Sequence, residues 1–133
     1  MSGVRLIVFD LDGTLIDSRR DLARAANEVL ARREHGPLAE DAVTRMVGEG
    51  ARVLLERAFL ASGLPPPAGD DLDEFNRQYH AHLVDSTRPY EGVDALLREA
   101  SRRCATALLT NKPEPHAARL VAHFGWSPLL PAL

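Results

Sequence analysis

Two aspartates one residue apart, Asp10 and Asp12, stand at the end of an apolar run in "VRLIVFDLDGT". Like charges this close repel, and the arrangement persists only if a cation holds them together or one carboxyl keeps its proton. Both outcomes are chemically useful. A divalent ion such as Mg2+, which takes one or two carboxylates and fills its shell with waters and a substrate phosphate, relieves the repulsion. An aspartate can also attack phosphorus to form an aspartyl phosphate while a neighbouring acid protonates the leaving oxygen. Gly13 lets the backbone approach closely, and Thr14 offers a hydroxyl to a carboxylate or phosphate oxygen. The bland alternative is an acidic turn after a strand, because short motifs mislead.

Positioning such a pair requires a strand. Val4 to Phe9 is a nearly unbroken β-rich run, the pattern of a strand covered on both faces in a parallel sheet. A second run, "CATALL" at 104 to 109, ends in the polar "TNKP" and repeats that layout. Strand, helix and strand in this order predict a parallel pair with ligands off the carboxyl ends, where Asp10 and Thr110 both fall. "TNKP" alone reads more readily as a structural strand-to-helix turn with a cap than as a functional element.

Between the strands the spacing is helical. Ser18 can cap a helix running to about Arg33, with Asp21 in its first turn and a stripe of Leu22, Ala25, Ala26, Val29 and Leu30. "EDAVTRMV" follows the break "EHGPL". "ARVLLERAFLAS" places Val53, Leu54, Ala58 and Phe59 on one side, with Gly63 as its stop. Leu72, Phe75, Tyr79 and Leu83 mark a further helix over residues 71 to 85. After the turn "STRPYEGV", Val93, Leu96, Leu97 and Ala100 form the stripe of a short helix. Ala117, Leu120, Val121 and Phe124 form that of a last one, ended by Gly125. The block over 17–86 is longer than a crossover needs and is expected to fold as a helical cap, leaving 1–16 and 87–133 as the α/β core.

Composition narrows the class. The chain has 133 residues, 45% of them hydrophobic, with a net charge of −3, enough for one compact domain with an appendage. Charges of both signs are scattered and no basic stripe accumulates, which argues against nucleic acid as a partner. Arginine almost wholly replaces lysine, and Lys112 is the single lysine. Cys104 is the single cysteine, in an apolar run, and reads as a core residue in a reducing compartment. The apolar stretch within residues 1 to 9 is too short for a signal peptide, and no segment approaches the ~18 apolar residues of a membrane span. A cytoplasmic protein without membrane contact is expected. His80 and His82, two apart on a helix, point to different faces and are poor zinc ligands, as are His116 and His123. Surface positions suit all four, and Trp126 is expected to plug an apolar edge.

The stretch "VFDLDGT" resembles the first motif of the haloacid dehalogenase-like superfamily of phosphohydrolases, met here by Asp10, Asp12, Gly13 and Thr14. The resemblance implies a Rossmann-type parallel sheet core with an inserted helical cap. It also implies Asp10 as nucleophile, Asp12 as general acid and then base, and Mg2+ held by Asp10 and the main-chain carbonyl of Asp12. "ALLTN" resembles the second motif, so that Thr110 binds the transferred phosphoryl group, flanked by Asn111 and Lys112. Within the superfamily, "LIDS", "MVGEGARVLLERA", "RPYEGV" and "TNKP" together resemble the phosphoglycolate phosphatase group, whose substrate is a small phosphorylated metabolite. Close relatives take other phosphate esters or pyrophosphate. By this resemblance Gly48 and Gly50 of "VGEG" reach toward substrate and Arg52 meets its carboxylate. The same letters read as a helix break followed by a solvated arginine.

Two parts of that pattern are absent from the 133 residues: no lysine follows Lys112, and no aspartate follows Asp94. Both belong beyond the second strand in the resembled family. The chain therefore reads as the front half of such a phosphatase, ending in the apolar "SPLLPAL". It is expected to be weakly active or inactive alone, and to expose apolar sheet surface and unpaired edges. The competing reading is a catalytically dead remnant acting through a partner, or through a second copy paired along the uncovered sheet edge.

Overall fold

A computed structural model describes residues 3–131; Ala132 and Leu133, at the end of the apolar tail, and Met1 and Ser2 lie outside them. The chain divides into two compact units, residues 1–17 with 88–133, and residues 18–87.

The first unit is built on two parallel strands, β1 (Leu6–Phe9) and β4 (Ala105–Leu108), in register from Leu6 against Ala105 to Phe9 against Leu108. One more bond, from Leu109 N to Phe9 O at 2.9 Å, carries the pairing to the strand ends. Helix α5 (Val93–Arg103) packs on β4, and α6 (Glu114–His123) follows it. The burial expected on both faces of β1 is not met: Leu6 is 54% and Val8 48% exposed, while Phe9 is buried. Among the described residues the sheet has two strands, which leaves its outer edges unpaired, and the face of β1 that carries Leu6 and Val8 is exposed. Val4 and Leu109 are exposed as well.

Other expectations shift in this unit. Leu96, placed in the stripe of α5, is 53% exposed, and Val93, Leu97 and Ala100 make the buried face. Cys104 lies outside the strand, at the C-cap of α5, half-buried with its Sγ 3.6 Å from Ala100 O. His116 is buried rather than superficial, since it falls on the same face of α6 as Ala117 and Leu120. Trp126 is buried, and its indole N–H donates to Asp94 Oδ1 at 3.1 Å, which ties the chain after α6 to the start of α5. A short antiparallel pair, β2 (Ile16–Asp17) with β3 (Arg88–Pro89), was not legible in the sequence. Two residues a side carry no alternation, yet the pair closes the unit where the chain leaves it and returns.

The second unit packs four helices: α1 (Arg19–Arg32), α2 (Glu40–Thr44), α3 (Ala51–Ala61) and α4 (Gly69–Ala81). Its core joins Leu22, Ala26, Val29 and Leu30 of α1 to Leu54, Leu55, Phe59, Phe75 and Tyr79. Leu55 takes the buried place expected of Val53. Helix α4 begins and ends earlier than 71 to 85, because the N–H of Ala68 is capped by Asp71 Oδ2 at 2.8 Å. Ser18 sits at the N-cap of α1 without a side-chain bond to the free N–H groups of the helix.

Asp21 does more than meet the helix dipole. It is 2% exposed, and its carboxylate accepts from Ser86 N at 2.9 Å, Thr87 N at 2.8 Å and Thr87 Oγ1 at 2.7 Å. The two ends of the helical unit are thereby clasped.

Helix α1 ends in a Schellman motif, with His35 N bonding Leu30 O at 3.0 Å and Glu34 N bonding Ala31 O at 3.0 Å. The residue that must turn left-handed is Glu34, at φ 60°, where α3 and α6 use Gly63 and Gly125. Glu34 is exposed and carries a Cβ penalty there. Glu34→Gly is expected to stabilise the chain by about 0.5–1 kcal/mol, read as a higher unfolding midpoint in urea.

Ion pairs between exposed arginines and buried carboxylates join the end of α1 to α4. Arg33 forks onto Asp71 with Nη2 at 2.8 Å from Oδ1 and 2.7 Å from Oδ2, and Arg32 and Arg77 both reach the buried Glu74. Burial pushes the Asp71 carboxyl up, but the Arg33 guanidinium and the Ala68 N–H outweigh it and hold it below the usual carboxylate range. Gln78 and Arg77 hold Glu74 low in the same way. Carboxyls depressed on folding contribute stability that is present above their unfolded values and lost as pH falls through the folded ones. The unfolding midpoint is therefore expected to fall on acidification below about pH 4. An Arg33→Met chain, followed by circular dichroism from pH 7 to pH 3, should start lower and lose less.

Candidate functional site

The loop after β1 hangs on buried apolar anchors. Leu11, Leu15 and Ile16 are each 0% exposed. Leu11 O accepts from Thr14 N, Leu15 N and Ile16 N at 3.2, 2.9 and 3.2 Å, and Gly13 N donates to Ile16 O at 2.9 Å. The turn needs a left-handed residue, and Gly13 supplies it at φ 78°. With Leu11 locked inside, the acidic residues on either side of it remain accessible: Asp10 is exposed and Asp12 half-buried. Asp10 Oδ1 accepts from Leu11 N at 2.7 Å. Thr14 is exposed.

Because β1 and β4 are parallel and paired to their last residues, this loop and the "TNKP" turn emerge side by side. Thr110 is half-buried, its Oγ1 accepting from Lys112 N at 3.1 Å, and Asn111 is exposed. Lys112 is buried, its side chain 3% exposed, with Nζ 3.2 Å from Asp12 Oδ1. The acidic pair thus has a cation from the protein itself, a contact the sequence did not disclose. Reading Lys112 as a residue that flanks the site left out its reach across to the first loop. Its burial was the missing signal, although its being the single lysine was visible.

A cleft of about 360 Å3 opens beside Thr110 and Lys112, with apolar walls from Leu108, Leu109, Ala117, Val121 and Leu130. Asp10 and Asp12 do not line it.

Gly48, Gly50 and Arg52 belong to the helical unit. Gly48 and Gly50 both have positive φ, at 123° and 93°, and break the chain between α2 and α3. Arg52 is exposed in the first turn of α3. The residue that holds the "VGEG" turn is Arg57, which pairs with Glu49 and donates to Met46 O at 3.3 Å. It was not singled out in the sequence, since an arginine two turns into a helix gives no sign of reaching back.

Among the described residues no group of three or more His, Cys, Asp or Glu side chains gathers to hold a metal. Mg2+ does not require one, because one or two carboxylates, a carbonyl, waters and a phosphate complete its octahedron. The exposed Asp10 carboxylate is a hard oxygen donor of the kind that suits such an ion.

The model of the haloacid dehalogenase-like hydrolases matches residues 4–132. The chain belongs to this family. Phosphoglycolate phosphatase from Agrobacterium fabrum is 39% identical over 124 residues, covering 90% of this chain and 53% of that protein. Phosphoglycolate phosphatase from Rhodospirillum rubrum is 40% identical over 131 residues, covering 91% and 54%. A crystal structure from Haemophilus somnus, described as a predicted phosphoglycolate phosphatase, superposes with a TM-score of 0.87 at 31% identity, covering 99% of this chain and 62% of that one. The chain spans about half the length of the curated relatives it matches. The fold is that of the family, an α/β unit with a small parallel sheet, together with a helical unit. Among the described residues no helix is long and apolar enough to cross a membrane.

Proposed function

We propose that this chain carries the phosphoryl-transfer half of a Mg2+-dependent phosphomonoesterase acting on a small phosphorylated metabolite, with 2-phosphoglycolate as the first substrate to test. What supports the reading is that Asp10 and Thr110 follow the paired ends of two parallel strands, with Lys112 Nζ of the second loop 3.2 Å from Asp12 Oδ1 of the first. Its relatives called phosphoglycolate phosphatase support the substrate class.

In this reading the Asp10 carboxylate attacks phosphorus, the ester P–O bond breaks, and Asp12 gives a proton to the leaving oxygen. Asp12 then takes a proton from the water that attacks the aspartyl phosphate, and Asp10 is regenerated. The Thr110 hydroxyl and the loop N–H groups near Gly13 and Thr14 hold the phosphoryl oxygens, and Asn111 borders them. Asp10 and the Asp12 carbonyl would hold Mg2+, which when bound would neutralise charge on the phosphoryl group. Gly48, Gly50 and Arg52 of the helical unit act in substrate selection, and the enzyme works in the cytoplasm.

The test is phosphate release from 2-phosphoglycolate with and without Mg2+. Release that needs the ion and Asp10 supports the proposal, and release indifferent to both overturns it. The rival reading, a catalytically dead remnant that binds a partner or a second copy along the uncovered sheet edge, is supported by the two-stranded sheet among the described residues and by the exposure of Leu6 and Val8. It predicts a concentration-dependent mass in sedimentation and no turnover.

A further inference from the structure

We propose that Lys112 is a positioning residue for Asp12, fixing its carboxylate and supplying the resident counter-charge that the divalent ion must share. The inference rests on the reading of Asp10 and Asp12 as the phosphoryl-transfer pair, and it deepens that reading.

An ammonium is costly to remove from water unless it is paired, and lysine normally keeps its head in solvent. Lys112 does the opposite, with a side chain 3% exposed and Nζ 3.2 Å from Asp12 Oδ1, itself on a side chain only 15% exposed. Its backbone is fixed at both ends. The N–H donates to Thr110 Oγ1 at 3.1 Å, and the next residue, Pro113, is the N-cap of α6 at φ −53°. One residue therefore links the β1 loop to the β4 loop and ties the candidate acid to the candidate phosphoryl-binding hydroxyl.

The electrostatic consequence separates this role from a structural one. Asp10 and Asp12 stand one residue apart, and in the absence of a divalent ion the Lys112 ammonium offsets part of their repulsion. Mg2+ binding to the same acidic loop then proceeds against a positive charge already in place. Removing that charge while keeping the volume of the side chain should tighten Mg2+ binding, whereas removing a residue that merely packs should not.

The experiment is calorimetric titration of Mg2+ into the full chain, for the wild type, Lys112→Met, Asp12→Asn and the double variant, with Asp10→Asn as the control for the metal site. Thermal unfolding midpoints are recorded for all five. Lys112→Met is expected to bind Mg2+ about tenfold more tightly than the wild type. In the Asp12→Asn background the same substitution should still tighten Mg2+ binding, because the ammonium opposes the ion whether or not Asp12 is charged, and the two midpoint shifts should be non-additive. Additive midpoint shifts overturn the proposal, as does a Lys112→Met chain whose Mg2+ affinity is unchanged or weaker. Should Asp10→Asn leave Mg2+ binding intact, or should the wild type bind no Mg2+, the metal-site reading fails separately, and the midpoint cycle still decides whether Lys112 holds Asp12.

Discussion

Asp10→Asn is expected to remove Mg2+-dependent phosphate release, lowering whatever rate the wild-type chain shows by about 10³-fold or more. The amide is nearly the same size but is neither a nucleophile toward phosphorus nor a good ligand for a hard cation. The fold should not notice, because Asp10 is exposed and its Oδ1 accepts only a neighbouring N–H that an amide oxygen can also satisfy. The unfolding midpoint is the control and should stay within about 0.5 kcal/mol of the wild type. A variant that retains turnover at an unchanged midpoint removes Asp10 from the nucleophile's role. One that loses both folding and turnover moves Asp10 into the structural framework instead.

Asp21→Ala should have the largest effect on stability. The substitution leaves the N–H groups of Ser86 and Thr87 and the Thr87 hydroxyl without their acceptor, in a place where Asp21 and Thr87 are 2% and 1% exposed. Each buried donor left unmade costs about 1–3 kcal/mol, partly recovered if water enters, so a loss of about 3 kcal/mol is expected. In a chain of this size that corresponds to a fall in melting temperature of roughly 10 °C. Asp21→Asn keeps one acceptor oxygen and should lose about half as much. Thermal denaturation followed at 222 nm reads both, and equal, small losses would mean that the clasp at the ends of the helical unit is not made.

Periodicity and local chemistry made much of this molecule legible. Phe9 and Leu108 end apolar runs whose short length and flanking polar turns, rather than any alternation, mark them as strands. The stripe of Leu22, Ala26, Val29 and Leu30 announces the buried side of α1 before any partner is known. Asp10, Asp12, Gly13 and Thr14 carry the family resemblance within five residues, and the left-handed turn expected of Gly13 is present. The errors have a shared cause. Leu96 and Val8 are apolar and correctly spaced, but whether a face is covered depends on what packs against it, and among the described residues both are left about half exposed. Glu34 turns left-handed without the glycine that usually marks such a turn.

From its residues alone the chain specified its alternation of strand and helix, the acidic loop at the first strand's end and its family. Those features follow from contacts among neighbours in sequence. Tertiary structure decided that Lys112 reaches Asp12, that Asp21 clasps Ser86 and Thr87, and that Trp126 meets Asp94. Each of these joins residues far apart in the chain through side-chain polar contacts, and such contacts have no period. They form because a donor or charge shut away from water must find its complement wherever the fold brings one within reach.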